Sequence, residues 1–228
     1  MKSTPFIEWL EGKKKTLFCP GIPGTGKTMI ASIVVNHLKT SFSDKTGKAF
    51  VYCIYKRQDN QEVDDLLASL LGQLAVWQSI VPKSIRELYD KHRQGEKPRL
   101  SQNEIREALY DTIKTYSRTF IIIDGLDECK TDRIRNELLS EVYKLQERSD
   151  TRLMVTFRPS IVPNPPSGVR ELEIQAHKED VEEYLSGRMS ELPNVVQDNN
   201  ELQCKIKTRI LSLVDGMYVW LYPLNLIY

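Results

Sequence analysis

The chain has 228 residues, which suffices for one α/β core and a small helical addition. Its 32 lysines and arginines nearly balance 31 aspartates and glutamates, which excludes the strongly basic class of nucleic-acid-binding proteins. Its four cysteines form no CxxC pair, which argues against a zinc site and a disulfide-rich secreted scaffold. The start lacks the apolar run of a signal peptide, and the longest apolar stretch, Met217 to Tyr228, is too short to span a bilayer. We therefore expect a cytoplasmic protein with reduced cysteines that binds neither nucleic acid nor membranes.

The first half of the chain alternates strand and helix patterns. A short β-type run, Lys15 to Cys19, precedes a glycine-rich turn and a helical pattern from Lys27 to Leu38. The apolar face predicted for this helix consists of Ile30, Ile33, Val34, Val35 and Leu38. A second strand is predicted over Ala49 to Tyr55. The helical stripe that follows it consists of Val63, Leu66, Leu67, Leu70, Leu71 and Leu74. Farther along, Ser101 and Glu104 fit a capping box at the start of another helix.

The second half begins with an unbroken apolar run, Phe120 to Ile123, typical of a parallel strand buried on both faces. A helix over Ile134 to Leu145, a strand over Arg152 to Phe157 and a short strand over Glu171 to Ile174 follow. Beyond residue 175 the pattern is helical only, with apolar positions at Val181, Tyr184, Leu185, Ile206, Ile210, Leu211, Val214 and Met217 to Leu224. We predict a three-layer α/β sandwich with a parallel sheet in residues 1–175 and a helical subdomain in residues 176–228.

A glycine-rich segment fits the phosphate-binding spacing GxxxxGK[ST]. It consists of Gly21, Ile22, Pro23, Gly24, Thr25, Gly26, Lys27 and Thr28, and Met29 adjoins it. Small residues let backbone N–H groups surround phosphate oxygens at a helix N-terminus. Lys27 is predicted to reach the β- and γ-phosphates, and the Thr28 hydroxyl to bind Mg²⁺. The alternative, a turn that merely joins strand to helix, is disfavoured by the flanking strand and helix and by a second, acidic motif.

Charged residues follow two of the predicted buried strands. Asp124 comes directly after the first apolar run and is assigned to the Mg²⁺ shell. Asp127 and Glu128 are candidates to polarise an attacking water, and the alternative is an acidic cap for the following helix. Arg158 follows the next strand, where ligands of open α/β sheets collect, and is predicted to sense the γ-phosphate. A solvent-facing loop residue is its alternative.

Five segments in this order resemble a NACHT domain: Trp9 to Gly12, Pro20 to Thr28, Asp124 to Glu128, Thr156 to Pro159 and Asp215 to Tyr218. More narrowly, they look like the fungal STAND-class modules, also classed as nephrocystin-3-like N-terminal domains, that precede ankyrin or WD40 repeats in NOD-like receptors. The resemblance implies a P-loop NTPase with sheet order 5-1-4-3-2 that switches with ATP or GTP and Mg²⁺. It also implies effector and repeat domains as partners, in cis or in trans, and a possible homo-oligomer.

The sequence departs from fast ATPases of this fold at Gly125, which stands where their catalytic glutamate directly follows the metal-binding aspartate. We therefore expect slow hydrolysis at most. No effector domain precedes Phe6 and no sensing repeats follow Tyr228, so we expect a fragment, a truncated product or a stand-alone adaptor. Two other functions stay open, an interaction module with a decayed NTPase site and a P-loop small-molecule kinase. ATP is favoured over GTP by analogy alone.

Overall fold

The computed structural model describes residues 3–76, 85–88, 90, 100–161, 163, 165, 168–175 and 178–213. The strands are β1 (Thr16–Pro20), β2 (Thr46–Tyr52), β3 (Arg118–Asp124), β4 (Thr151–Phe157) and β5 (Arg170–Glu171). The α-helices with described bounds are α1 (Thr4–Glu11), α2 (Lys27–Ser41), α3 (Val63–Val76), α4 (Gln102–Lys114), α5 (Asp132–Arg148), α6 (Lys178–Arg188), α7 (Asn194–Gln197) and α8 (Asn200–Leu213). Short 3-10 segments cover Tyr55–Asn60, Leu126–Glu128 and Met189–Glu191.

The five strands form one parallel sheet in the order β2-β3-β4-β1-β5. The predicted order 5-1-4-3-2 is therefore confirmed, and β4 lies between β1 and β3. At the centre of the sheet, Val155 is paired with Phe18 on one side and with Ile123 on the other. Because neighbouring strands are parallel, β3 and β4 end at the same edge, and the residues after them meet there.

Helices cover both faces of the sheet and confirm the predicted three-layer α/β sandwich. One face packs against α3, α4 and α5, and all six positions of the predicted leucine-rich stripe on α3 are buried. On the other face, the Phe120 ring lies 5.2 Å from the Trp9 ring of α1 and 5.1 Å from the Phe42 ring, measured between ring centroids. This burial on both faces explains the apolar runs Phe120 to Ile123 in β3 and Leu153 to Val155 in β4.

The capping box at Ser101 is also confirmed. The Ser101 hydroxyl accepts a hydrogen bond from the backbone N–H of Glu104 at 3.4 Å, and the Glu104 carboxylate accepts from the Ser101 N–H at 2.9 Å. The helix therefore begins at Gln102, because two N–H groups that lack intrahelical partners are satisfied at its first turn.

Two strand boundaries and one helix face differ from the sequence prediction. β2 is Thr46–Tyr52 instead of Ala49 to Tyr55, because its polar start is paired with β3 from Thr46 onward and the buried Lys48 ammonium donates to the Phe42 carbonyl at 2.6 Å. β5 is limited to Arg170–Glu171. On α2, Ala31, Val34, Val35 and Leu38 are buried, whereas Ile30 and Ile33 are 36% and 43% exposed.

The backbone separates into two compact units, Met1–Pro20 with Thr28–Leu172 and Gly21–Lys27 with Glu173–Tyr228. In the second unit, a small apolar cluster joins α6 to α8. It contains Val181, Leu185, Met189, Leu192, Ile206, Ile210 and Leu211. The domain boundary at residue 176 stays a prediction. Val214, Met217 to Leu224 and the segment Asp215 to Tyr218 lie outside the described residues.

Among the helices that the structure describes, none is both long enough and apolar enough to cross a bilayer.

Candidate functional site

The glycine-rich loop Gly21–Lys27 is a turn that uses left-handed backbone conformations. Gly24 and Gly26 adopt positive φ angles of 80° and 87°. Thr25 is 1% exposed, and its backbone N–H and its hydroxyl both donate to the Ile22 carbonyl, at 3.4 Å and 3.0 Å. Within the described part of the chain, the N–H groups of Gly24 and Gly26 donate to no protein acceptor. These donors suit an anion.

The first residue of the loop is packed without room for a side chain. A Cβ added to Gly21 would lie 2.7 Å from the Thr25 hydroxyl and 2.8 Å from the Ile174 carbonyl. At the other end of the loop, the Lys27 ammonium donates to the carbonyl oxygens of Gly21 and Ile22 at 2.7 Å and 2.9 Å. The loop is thus closed by its own lysine, which brings a positive charge to its backbone.

Three apolar residues of the predicted binding segment are exposed. Ile22 exposes 39% of its surface, Met29 exposes 69%, and Pro23 is exposed as well. Because these side chains cannot donate a hydrogen bond to a phosphate, only their backbone N–H groups are available for it. Pro23 has no backbone N–H. The binding roles assigned to these residues stay predictions.

The acidic residue at the end of β3 is held by two hydroxyl groups. Thr28 Oγ1, in the first turn of α2, donates to Asp124 Oδ2 at 2.7 Å. Thr156 Oγ1, from β4, donates to Asp124 Oδ1 at 2.6 Å. Asp124 is only 4% exposed, so these bonds stabilise a carboxylate that is largely removed from water. The structure therefore brings together Thr28 and Asp124, the two residues predicted to bind the metal.

The backbone conformation at position 125 favours glycine. Its φ angle is 71°, in the left-handed region that residues with a Cβ avoid. Its N–H donates to the Thr156 hydroxyl at 2.9 Å, and an added Cβ would lie 3.0 Å from the Cys53 carbonyl. A glutamate at this position, as in fast ATPases, would be strained.

Asp127 and Arg158, predicted as separate functional residues, form a pair. Asp127 Oδ1 accepts the Arg158 backbone N–H at 3.0 Å, and its Oδ2 lies 2.9 Å from Arg158 Nε. The Asp127 side chain is 7% exposed, whereas the Arg158 side chain is 47% exposed. The carboxylate is thus fixed from two directions, while the guanidinium remains accessible from solvent.

Glu128 contacts the segment after β2, whereas the alternative considered from the sequence was a contact with the helix that follows Glu128. Its Oε2 accepts the Tyr55 backbone N–H at 2.9 Å, and its carbonyl accepts from the Gln58 side chain at 2.9 Å. The helix that follows, α5, is capped instead by Thr131, whose hydroxyl accepts the Ile134 N–H at 3.2 Å. The alternative of a Glu128 cap on the following helix is therefore wrong, because Glu128 caps the 3-10 segment Tyr55–Asn60.

Sequence reasoning missed two features at this sheet edge. Thr156 binds Asp124, whereas the sequence pattern places it only in the strand Arg152 to Phe157 and in the segment Thr156 to Pro159 and assigns it no role. Cys53 and Cys129, 76 positions apart, bring their sulfur atoms to 3.5 Å. The hydrogen bond with Cys129 and burial raise the pKa of the Cys53 thiol far above its usual value, and the charges of Asp124 and Glu128 add to the effect.

Comparison with known proteins agrees with this arrangement. Residues 1–158 match the family described as "Nephrocystin 3, N-terminal". The chain belongs to the nephrocystin 3 N-terminal family. No curated protein matches this nephrocystin 3 N-terminal chain.

Solved structures share its fold. The Walker-type ATPase PABY2304 of Pyrococcus abyssi is 14% identical with a TM-score of 0.55, covering 93% of this chain and 62% of its own. The Aeropyrum pernix ORC1 protein, solved in complex with DNA, is 19% identical with a TM-score of 0.53, covering 84% and 48%. Cdc6p of Pyrobaculum aerophilum is 14% identical with a TM-score of 0.52, covering 81% and 46%. The nephrocystin 3 N-terminal chain thus has the fold of P-loop ATPases and spans 46% to 62% of the length of these proteins.

Proposed function

We propose that this chain is a nucleoside-triphosphate-binding switch domain of a NOD-like, NACHT-type signalling protein. It favours ATP, requires Mg²⁺, hydrolyses slowly and couples its nucleotide state to assembly with partners. The observation that carries the proposal is that the loop lysine, Lys27, is followed directly by Thr28, whose hydroxyl is hydrogen-bonded to Asp124. Phosphate-binding and metal-binding groups thus adjoin in the chain.

The loop fits a polyphosphate. The N–H groups of Gly24 and Gly26 are available, and Lys27 already rests on the loop carbonyls as a mobile point charge. The close packing at Gly21 leaves the backbone bare, as an approaching phosphate requires. A bound phosphate offers Lys27 stronger, charge-assisted hydrogen bonds than the neutral carbonyls do.

Thr28, which follows the loop in the chain, and its partner Asp124 fit Mg²⁺, a hard cation that prefers oxygen ligands. Thr28 supplies a hydroxyl and Asp124 a carboxylate, and these two residues would hold the ion. Bound Mg²⁺ supplies neutralisation of the charge on phosphate oxygens. Thr156 keeps the Asp124 carboxylate oriented from the opposite side through its 2.6 Å hydrogen bond.

Slow hydrolysis is supported by the partners of the candidate catalytic groups. Asp127 is paired with Arg158, Glu128 is bound to the Tyr55 N–H, and Gly125 offers no side chain. A carboxylate engaged in two hydrogen bonds orders water less well than a free one. The pairing also gives the switch a resting state, in which the exposed Arg158 is held by Asp127 until a γ-phosphate competes for it.

The net charge and the exposed apolar side chains of the chain support protein partners. The net charge of +1 supports protein partners, such as effector domains, repeat domains or further copies, over nucleic acid. On α2, Met29, Ile30 and Ile33 are exposed, and apolar side chains grouped on one helix support such contacts. A cytoplasmic location is proposed because the four cysteines form no CxxC pair and do not fit a disulfide-rich secreted scaffold.

A second candidate function is an interaction module with a decayed NTPase site. It is favoured by the same pairing of Asp127 and Arg158, which leaves the chain a stable arrangement without nucleotide. The two functions differ in whether Mg²⁺-nucleotide binds the folded chain.

The test is a titration of Mg²⁺-ATP, Mg²⁺-ADP and Mg²⁺-GTP into the purified chain while thermal unfolding is followed. A ligand that binds only the folded state at 100 times its Kd stabilises it by about 2.7 kcal/mol. We expect the midpoint to rise in the wild type and in Lys45→Ala, an exposed lysine before β2, and to stay constant in Lys27→Ala. Constant midpoints in all three folded proteins, with association that ignores nucleotide, would support the decayed module.

A further inference from the structure

Two cysteines meet at the carboxyl edge of the sheet. Cys53 directly follows β2 and is 5% exposed, whereas Cys129 directly follows the 3-10 turn Leu126–Glu128 and is half-buried. Their sulfur atoms lie 3.5 Å apart, and both thiols are free. The other two cysteines differ, since Cys19 is fully buried in β1 and Cys204 is exposed on α8.

We propose that Cys53 and Cys129 are a redox-active dithiol that a hydroperoxide converts into an intramolecular disulfide, and that this crosslink weakens nucleotide binding. The second half of the proposal rests on the proposed function, whereas disulfide formation stands on the geometry alone.

The chemistry needs one hydroperoxide. The Cys129 thiolate attacks a peroxide oxygen, the O–O bond breaks, and a sulfenic acid and a hydroxide form, the hydroxide taking up the proton that the thiol released. The Cys53 sulfur then attacks the sulfenic sulfur, an S–S bond forms, and the hydroxyl leaves as water with the Cys53 proton. Two thiols and hydrogen peroxide thus give one disulfide and two waters, and the two sulfurs lose the two electrons that the peroxide gains.

The different solvent exposure of the two cysteines indicates which sulfur attacks the peroxide first. Cys129 is half-buried and is the more exposed of the two, whereas the 5% exposed Cys53 is positioned to resolve the sulfenic acid from 3.5 Å. A hydrogen bond with Cys53 and the nearby charge of Arg135 hold the pKa of Cys129 below its usual value, although burial opposes this. Bond formation closes the gap to about 2.05 Å, a movement of about 1.5 Å.

The crosslink acts on the segment that carries the candidate site residues. Cys53 N–H donates to the Asp124 carbonyl at 2.9 Å, so Cys53 is anchored to the end of β3. Cys129 holds the end of the turn by a longer bond, from its N–H to the Leu126 carbonyl at 3.4 Å. The crosslink therefore pulls the segment from Asp124 to Cys129 toward β2 and moves the Asp124 carboxylate away from the Thr28 hydroxyl, with which it would hold Mg²⁺.

The first experiment maps disulfides in the Cys204→Ser chain, which lacks the exposed thiol, after treatment with hydrogen peroxide. We expect a peptide pair joining Cys53 to Cys129, lighter by two hydrogen atoms and absent from Cys53→Ser and Cys129→Ser in the same background. Accumulation of Cys129 as sulfinic acid without this pair would overturn the proposal, as would exclusive crosslinking through Cys19.

The second experiment measures Mg²⁺-ATP affinity in the same chain before and after peroxide. We expect binding about tenfold weaker in the oxidised chain, because ångström-scale misplacement of site residues is costly, and recovery with dithiothreitol. Cys53→Ser and Cys129→Ser should keep their affinity through the same treatment. A mapped disulfide with unchanged affinity would refute the coupling. A reduced chain that binds no nucleotide would refute the proposed function instead, while the mapped disulfide would still decide the first half.

Discussion

The Thr156 hydroxyl lies 2.6 Å from Asp124 Oδ1 and 2.9 Å from the Gly125 nitrogen, so one side chain serves two consecutive residues. It donates its hydrogen to the buried carboxylate and accepts the N–H of a residue in the left-handed region. Thr156 is fully buried, and water does not replace it easily. The position of the Asp124 carboxylate therefore depends on a strand that lies next to its own.

Thr156→Val should destabilise the fold, because it leaves the Gly125 N–H and one Asp124 oxygen without their partner. A buried polar group that loses its partner costs about 1–3 kcal/mol. Urea unfolding measures the change. The matched control is Thr119→Val on β3, whose buried hydroxyl has no hydrogen-bond partner within the described residues and whose loss should be neutral or stabilising. Equal destabilisation by both substitutions would contradict the role given to Thr156.

Asp127→Asn should favour ATP over ADP, because it weakens the pair that holds Arg158 in the nucleotide-free chain. The Arg158 side chain is 47% exposed, so the gain is limited to roughly fivefold in the affinity ratio, as for an exposed ion pair of about 1 kcal/mol. Competition binding with both nucleotides measures it. In the Arg158→Gln background the same substitution should have no effect. A gain that persists there would show that Arg158 is not the group released.

Gly12→Ala should destabilise the chain by roughly 2–4 kcal/mol, the sum of left-handed backbone strain and lost hydrogen bonds. Gly12 has a φ angle of 88°, and an added Cβ would overlap the guanidinium of Arg152. That guanidinium is 2% exposed and donates to the carbonyls of Trp9 and Leu10 at the end of α1. Thermal unfolding measures the loss.

Gly72→Ala is the control for this substitution. Gly72 lies inside α3, and an added Cβ meets nothing within 4 Å. Alanine should stabilise the helix there by about 0.5–1 kcal/mol. A similar loss in both variants would mean that the Arg152 contact contributes nothing.

Stability should fall in acid partly through Asp150. Burial acts to raise the pKa of Asp150, but hydrogen bonds from Arg118 and Arg152 outweigh it and hold the pKa below its usual value. Because the folded pKa is below that of the unfolded chain, about 3.9, this stabilisation is complete above that pH and is lost as pH falls through the folded pKa.

Asp150→Asn should therefore be less stable than the wild type at pH 7 and lose less on acidification. Urea unfolding between pH 7 and pH values below about 3.9 measures the slope. The control is Asp111→Asn, which removes an exposed carboxylate 3.9 Å from Lys114. Parallel pH profiles for the wild type and Asp150→Asn would contradict the assignment.

The sequence predicts most of the sheet because buried strands leave local signals. Phe120 to Ile123 is an apolar run, and Arg152 to Phe157 is apolar at Leu153, Met154, Val155 and Phe157. The resemblance supplied the strand order. The polar start of β2 carries no such signal, since Thr46 and Lys48 are buried by pairing with β3 and by a hydrogen bond to Phe42. At Lys48, tertiary contacts outweigh the low β-strand propensity of lysine.

The sequence predicted which residues belong to the candidate site, but it did not predict which of them contact one another. Asp124 and Thr28 have expected types at expected spacing, so motif chemistry finds both. The partners of Asp127 and Glu128 lie 31 and 73 positions away, and no pattern in one sequence reports contacts at such distances. The proximity of Cys53 and Cys129 likewise becomes visible only once β2 and β3 are adjacent.

The most direct test of the nucleotide switch is calorimetric titration of ATP into the folded chain, with Mg²⁺ and with EDTA. We predict saturable binding that is strengthened by Mg²⁺ in the wild type, and loss of the Mg²⁺ effect in Asp124→Asn. Absence of binding by the folded wild type would contradict the assignment of the glycine-rich loop to phosphate binding. Binding that neither Mg²⁺ nor Asp124→Asn alters would contradict the assignment of Asp124 to the metal.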